Sequence, residues 1–326
     1  MTKSVAFLFP GQGSQSVGMG KALADAYLPA REVFAEIDAA LADNLTAVMW
    51  EGPADRLMLT ENAQPALVAV SLAAMRVLEV EAGLDLAREA QFVAGHSVGE
   101  YAALAAAGAI SFADAVRLVR IRGSAMARAV PAGAGAMAAL MGVDFEQAAA
   151  IAEEAAQGRV CQAANDNGGG QVVISGDRAA VERAVAIAKD QGVRRAMMLP
   201  VSGAFHSALM QPAADVMRDA LAGVAIRPPC VPLVANVLAR PVTDPQEIAR
   251  GLVDQVTGTV RWRESVAFMA AAGIDTFYEV GAGKVLSGLV KRIAEGATGV
   301  TIGSPEEVVA FRTPRAAAGS GAAAGG

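Results

Sequence analysis

Two hydrophobic rhythms alternate along the chain. Short continuous apolar runs end in glycine or proline, and longer stretches carry apolar positions every three to four residues. A short continuous run suits a strand buried on both faces, and the longer spacing suits a helix with one face in a core. "SVAFLFP" (Ser4–Pro10) reads as the first such strand, closing in a Gly-rich turn. Helical stretches follow around Met19–Ala26, over Ala30–Leu41 and over Gln64–Gly83, the last with Pro65 near its start and Gly83 at its end. "AQFVAG" predicts a second strand and "EYAALAAAGAI" a buried helix. "SFADAVRLVRIRGSAMARAV" predicts another helix, with Ser111 as its N-cap. This alternation predicts a parallel α/β sheet.

The rhythm changes after "PAGAG" (Pro131–Gly135). "AMAALMG" reads as a strand, "DFEQAAAIAEEAA" as a helix, "VCQAAND" and "GQVVISG" as two strands, "DRAAVERAVAIAKDQG" as a helix and "RRAMMLP" as a strand. That order, β-α-β-β-α-β, is the ferredoxin-like pattern. The expected organisation is a discontinuous catalytic unit over 1–132 and 200–315, with residues 133–199 inserted as a small subdomain. Residues 316–326, in "RAAAGSGAAAGG", have no apolar periodicity and are expected to be disordered.

Composition narrows the function classes. Over half of the 326 residues are apolar, much of that Ala and Gly, with few aromatics. This suits helices packed tightly around a sheet. A net charge of −6 argues against nucleic-acid binding. No apolar run reaches the roughly 18 residues that span a membrane. The N-terminal run is too short for a signal peptide and is interrupted by Pro10 and two glycines, so the cytoplasm is the expected compartment. Cys161 and Cys230 are far apart, and only two histidines exist. No metal site is expected, and both thiols are expected to be buried.

The chemistry-bearing stretch is "VAGHSVGEYAAL". Gly95-His96-Ser97-Val98-Gly99 places a serine between two glycines, after a strand and before a helix. That context makes Gly-x-Ser-x-Gly a nucleophile elbow rather than a packing turn. The helix N-terminus behind Ser97 offers unbonded N–H groups, and the N–H of Val98 could serve an oxyanion. A serine nucleophile needs a base. His96 is the neighbour of Ser97, and adjacent side chains at an elbow point apart. His206 remains, following the strand "RRAMMLP" and opening a helix, at a strand's carboxyl end where α/β active sites lie. No acid partner for it stands out, which leaves a backbone carbonyl to orient it.

Arg122 is the other anomaly. Val119, Leu118, Ala125 and Met126 are its helix neighbours, so it lies on the apolar face, whereas Arg117 and Arg120 share a solvated one. A buried guanidinium needs an anion: a distant Asp or Glu, or a substrate carboxylate held bidentately. "FPGQGSQSVGMG" fails as a dinucleotide turn because Ser16 stands at the third glycine, and "EVGAGKVLSG" fails as a P-loop because Val285 follows Lys284. Both loops still permit close backbone approach, and Gln12 has donors for an oxyanion.

Together these motifs resemble the malonyl-CoA:acyl carrier protein transacylases of fatty-acid synthesis. The resemblance covers about Val5 to Pro305 and rests on "FPGQGSQ", "GHSVGEYAAL", "RLVRIRG", "ANDNGGGQVVISG", "LPVSGAFHS", "QVTGTVRW" and "EVGAGKVLSGLVKRI". It implies an α/β-hydrolase-like large subdomain with a ferredoxin-like small one. It implies Ser97 as the acylated nucleophile, His206 as base, Gln12 and Val98 as oxyanion hole, and Arg122 on the malonyl carboxylate. It further implies that the Gln255 main chain orients His206. "AFHS" resembles the malonyl-accepting version of its motif. The implied partners are malonyl-CoA and acyl carrier protein, with no resident cofactor, no nucleic acid or membrane, and a monomeric enzyme. Val98 and Ala282 depart from the family's usual Leu and Pro. Lys284, Lys291 and Arg292 are candidates for a basic carrier-docking patch, a solvated helix face being the other reading of each. The rival readings are a serine esterase or thioesterase, and, outside enzymes, a nucleotide-binding or scaffolding module.

Overall fold

The computed structural model describes residues 4–201 and 203–322. The first stretch holds β1 (Val5–Phe9), α1 (Lys21–Ala26), α2 (Leu28–Leu41), α3 (Leu45–Glu51), α4 (Ala54–Met58) and α5 (Thr60–Ala82). It continues with α6 (Leu86–Glu89), β2 (Phe92–Gly95), α7 (Gly99–Ala106) and α8 (Phe112–Arg128). The second holds β3 (Gly135–Met141), α9 (Phe145–Ala156), β4 (Cys161–Gly168), β5 (Gln171–Asp177), α10 (Arg178–Asp190) and β6 (Arg195–Met198). The third holds α11 (Gln211–Ala222), β7 (Leu233–Val234), β8 (Pro241–Val242), α12 (Pro245–Thr257) and α13 (Trp262–Ala271). β9 (Thr276–Val280), α14 (Val285–Ile293), β10 (Thr298–Ile302) and α15 (Pro305–Ala322) complete it.

The larger sheet runs β10-β9-β1-β2-β7-β8, parallel except for the last pair. Its central strands lack polar alternation because both faces are covered. Phe7, Phe9 and Val93 enter the core beneath α5 and α8, while Ala6, Leu8 and Ala94 pack with Trp262 and Phe277 on the other side. The second sheet, β4-β5-β3-β6, is antiparallel throughout, with α9 and α10 on one face. Its order and connections are ferredoxin-like. The sheets are tied where β4 meets the chain entering α13: Val260 N–H donates to Ala164 O and Asp166 N–H to Val260 O, both at 2.9 Å. The fold is therefore α/β, a parallel-sheet subdomain with a ferredoxin-like one inserted in its chain.

Several elements differ from the sequence expectation. α5 begins at Thr60, so Pro65 lies inside it; its missing N–H costs only a bond to the first turn. By length and composition α5 could also cross a membrane, contrary to the expectation that no run reaches that size. It is instead mostly buried, sheathed by α2, α7 and α8 as the core helix. Cys161 is buried, but Cys230 is exposed in the loop after Arg227-Pro228-Pro229. The expected disordered tail falls partly on α15, which runs to Ala322, and partly on residues 323–326, outside the described residues. Alanine's helix propensity suffices to extend α15 through a stretch with no apolar face.

Candidate active site

The site forms beside the carboxyl ends of the adjacent strands β1 and β2, where parallel α/β sheets place their ligands. β2 ends at Gly95, and α7 begins at Gly99, leaving three residues to reverse the chain. The turn is as tight as the glycines suggest. A Cβ on Gly95 would lie 1.9 Å from the Gly99 carbonyl carbon, and one on Gly99 would lie 2.1 Å from Phe9 O. Ser97 sits between them at φ 52°, a left-handed conformation that a non-glycine residue holds only where its surroundings enforce it. Asn236, fully buried after β7, is the clamp. Its Oδ1 accepts from Ser97 N–H at 2.7 Å and its Nδ2 donates to Gly95 O at 2.7 Å. No sequence motif marks Asn236, because its role depends on β7 lying beside β2.

Ser97 Oγ lies 2.7 Å from His206 Nε2. On the opposite side of the ring, Nδ1 lies 2.8 Å from the main-chain oxygen of Gln255. A carbonyl only accepts, so Nδ1 carries the proton and the Nε2 lone pair faces the serine. Burial, then the nearby Arg122 cation, push the His206 pKa down to about 3, so the ring is neutral at pH 7. His206 is not at a strand end in the parallel sheet, as its sequence position suggested. β6 belongs to the small antiparallel sheet and ends at Met198, and His206 follows in a turn at φ 58° before a 3-10 turn and α11.

Arg122, from α8, is fully buried beneath the elbow. Nη1 donates to Gln64 Oε1 at 2.8 Å, and Nη2 donates to Gln255 Oε1 at 2.9 Å and to Ser97 Oγ at 3.1 Å. Its Nε has no partner among the described residues. All three direct acceptors are neutral oxygens. The nearest acid in this network is Glu100, which reaches Arg122 only through the Gln255 amide. Burial lowers the Arg122 pKa while Tyr101 and Glu100 raise it; a guanidinium remains cationic at neutral pH in any case. The guanidinium is thus a buried cation ringed by neutral oxygens, one of them the elbow hydroxyl.

Gln12, Ser97 and His206 line a cavity of about 270 Å³ with His96, Asn167 and Phe205. Gln12 Oε1 accepts from Gln64 Nε2 at 3.2 Å, which turns the Gln12 side-chain donors away from Gln64. The N–H of Val98 donates to no group among the described residues, unlike those of Ser97, Gly99 and Glu100 around it. Arg122, Gln255 and Val98 do not line the cavity wall; Arg122 reaches it past Ser97 Oγ. His96 points away from the serine, as expected, and its Nε2 lies 2.9 Å from Asn167 Oδ1, with Trp262 edge-on to the ring. No cluster of three or more His, Cys, Asp or Glu suited to a metal lies among the described residues.

A family model described as an acyl transferase domain matches residues 6–310. The malonyl CoA-acyl carrier protein transacylase of Escherichia coli K12 is 48% identical over 305 residues, spanning 94% of this chain and 97% of its own. An acyl-carrier-protein S-malonyltransferase from Bartonella henselae superposes with a TM-score of 0.93 at 52% identity, covering 96% of this chain and 99% of its own. A malonyl-transacylase solved in complex with a type II PKS acyl-carrier protein gives a TM-score of 0.92 at 39% identity, covering 96% and 100%. At that coverage the likeness takes in both subdomains, and the fold is an α/β-hydrolase-like subdomain with a ferredoxin-like one. Likeness of this extent, on a chain whose elbow serine faces a neutral histidine and a buried arginine, places it by descent: the chain belongs to the acyl transferase family, among the malonyl CoA-acyl carrier protein transacylases.

Proposed function

We propose that the protein moves a malonyl group from malonyl-CoA to the phosphopantetheine thiol of an acyl carrier protein through a malonyl-Ser97 ester. The observation that carries this reading is the Ser97 hydroxyl held between His206 Nε2 and Arg122 Nη2. The hydroxyl proton goes to His206 Nε2 as Ser97 Oγ bonds the thioester carbonyl carbon. The resulting oxyanion takes the Val98 N–H and the Gln12 donors. Collapse breaks the carbon–sulfur bond, and the departing thiolate takes the proton from His206, releasing coenzyme A. In the second half the carrier thiol gives its proton to His206 and its sulfur bonds the ester carbon; the carbon–oxygen bond to Ser97 then breaks, and Ser97 Oγ takes the proton back from His206. Arg122 holds the malonyl carboxylate, for which a guanidinium has two parallel donors. Gln255 holds the histidine through its carbonyl.

Residues 1–132 and 200–315 form the catalytic unit in this reading, with 133–199 closing over it. Lys284, Lys291 and Arg292 receive the acidic carrier. They are exposed on or beside α14, whose Val285, Leu286 and Leu289 line the cavity. No resident cofactor is needed. The enzyme works as a monomer in the cytoplasm. An esterase would use the same elbow, but nothing in esterase chemistry calls for a buried cation at the nucleophile.

Intact-mass measurement after mixing with malonyl-CoA tests the reading. One malonyl group should add to the wild type and none to Ser97→Ala. Holo carrier protein should then discharge the adduct much faster than buffer does. An adduct of equal yield in Ser97→Ala moves the nucleophile elsewhere, and discharge at one rate with and without carrier makes the protein an esterase.

A further inference from the structure

Glu100 is a buried acid that the chemistry above does not use. It is the second residue of α7, three after Ser97, and is 2% exposed. Its Oε1 accepts from the Asn236 N–H at 2.8 Å, and its Oε2 accepts from Gln255 Nε2. Among the described residues it has no ion pair. A buried carboxylate costs free energy unless every lone-pair contact is well used, so its placement calls for a reason.

The donor and acceptor order across Gln255 supplies one. Nε2 of Gln255 donates to Glu100 Oε2 and, at 2.9 Å, to the Ser97 main-chain oxygen. That leaves Oε1 facing Arg122 Nη2. Turned over, the amide would aim its oxygen at a carboxylate and a carbonyl, and its NH2 at a guanidinium. An ionised carboxylate only accepts and a guanidinium only donates, so the two ends permit one orientation. The same acid braces Asn236, whose side chain clamps both ends of the elbow.

We propose that Glu100 is a positioning residue for acyl transfer: its carboxylate fixes the Gln255 side-chain amide with the oxygen toward Arg122, and so sets where the guanidinium meets a substrate carboxylate. The inference rests on the roles given above to Ser97, His206 and Arg122. It is specific in its consequences. His206 is held by the main-chain oxygen of Gln255, which the side-chain amide does not carry, so the base is spared when Glu100 changes. The carboxylate grip is not spared. Burial pushes the Glu100 pKa up to about 7, against the pull of Asn236, Gln255 and Arg122. The carboxylate is therefore a strained choice for a site needing only a brace for Asn236.

Glu100→Gln in the full chain is the test. The new amide has one oxygen. With that oxygen on the Asn236 N–H, its NH2 meets the NH2 of Gln255, and every alternative leaves one mismatched pair. The malonyl kcat/KM should fall by about tenfold or more, and by at least about threefold more than acetyl kcat/KM, which bears only the loss that comes through the Asn236 brace of the elbow. Glu100→Asp keeps an acceptor-only group and should retain more of the malonyl preference than Glu100→Gln. A second readout needs no turnover: the Gln255 side-chain NH2 resonance should sit downfield, as for a carboxylate-bound amide, in wild type and move in Glu100→Gln. Equal losses for malonyl and acetyl overturn the inference. So does a wild-type Gln255 NH2 at a free-amide position, even if Glu100→Gln does not fold. A wild type that takes no malonyl group sinks the acyl-transfer reading instead, and the Gln255 resonance still decides for or against Glu100.

Discussion

Arg122 was visible as an anomaly in sequence, a cation on an apolar helix face, with two explanations standing. The geometry bears on the choice. Its contacts are Gln64, Gln255 and Ser97, so removing Arg122 strands neutral amide oxygens rather than a buried acid in direct contact. An unsatisfied neutral group costs about 1–3 kcal/mol, which a chain of this size survives. A charge-assisted contact to substrate is worth roughly 1.5–3 kcal/mol, and at about 1.4 kcal/mol per decade Arg122→Ala should lower malonyl kcat/KM by about tenfold to a hundredfold. Acetyl transfer, which offers no carboxylate, should hold steady or rise. The malonyl-to-acetyl ratio of kcat/KM in wild type and variant is the measurement. An unchanged ratio removes the carboxylate grip and with it the residue-level reason for naming malonyl.

At the scale of elements, the elbow shows what was legible and why. Glycines at 95 and 99 announce a turn too tight for Cβ atoms, and that information is local. So are the Ser111 cap, whose Oγ accepts from Asp114 N–H at 3.0 Å, and the β-α-β-β-α-β order of the insert. The Asn236 clamp and the Gln64 and Glu100 contacts were not legible, because each needs two segments far apart in sequence to meet. Pro65 misled for the opposite reason: a local start signal was overridden by packing of the whole of α5 in the core. The elbow argument predicts a contrast. Gly95→Ala forces a carbon to within 1.9 Å of backbone and should abolish folding or lower stability by well over about 3 kcal/mol. Gly251→Ala, in the interior of α12 with nothing within 4 Å of its added carbon, should stabilise by about 0.4–1 kcal/mol. Urea unfolding of both variants checks this, and a Gly95→Ala protein of wild-type stability would mean the turn is not as drawn.

At the scale of the molecule, the interface between the elbow and α12 buries two titratable groups whose pH dependences oppose. Burial disfavours charge in both, but the charged form is the deprotonated one in Glu100 and the protonated one in His206. Glu100 is raised from 4.5 to about 7, so between those values the folded protein holds a proton that the unfolded chain has released, and stability falls as pH rises. His206 is lowered from 6.5 to about 3, so between those values the unfolded chain binds a proton that the folded protein does not, and stability falls as pH falls. From about pH 4.5 to 6.5 the windows overlap, with slopes of opposite sign and up to about 1.4 kcal/mol per pH unit each. In wild type they should largely cancel. Deleting one group exposes the other. Relative to wild type, His206→Gln should gain stability on acidification from pH 6.5 to 4.5, and Glu100→Gln should lose it over the same range. Urea midpoints at three pH values for the three proteins provide the comparison, because every group common to them drops out of the differences. Differences that do not change with pH, or that change in the same direction for both variants, would show that Glu100 and His206 do not carry the opposite shifts that burial gives them. The neutral His206 that acyl transfer needs at the start of its cycle would then have to be secured by something other than burial.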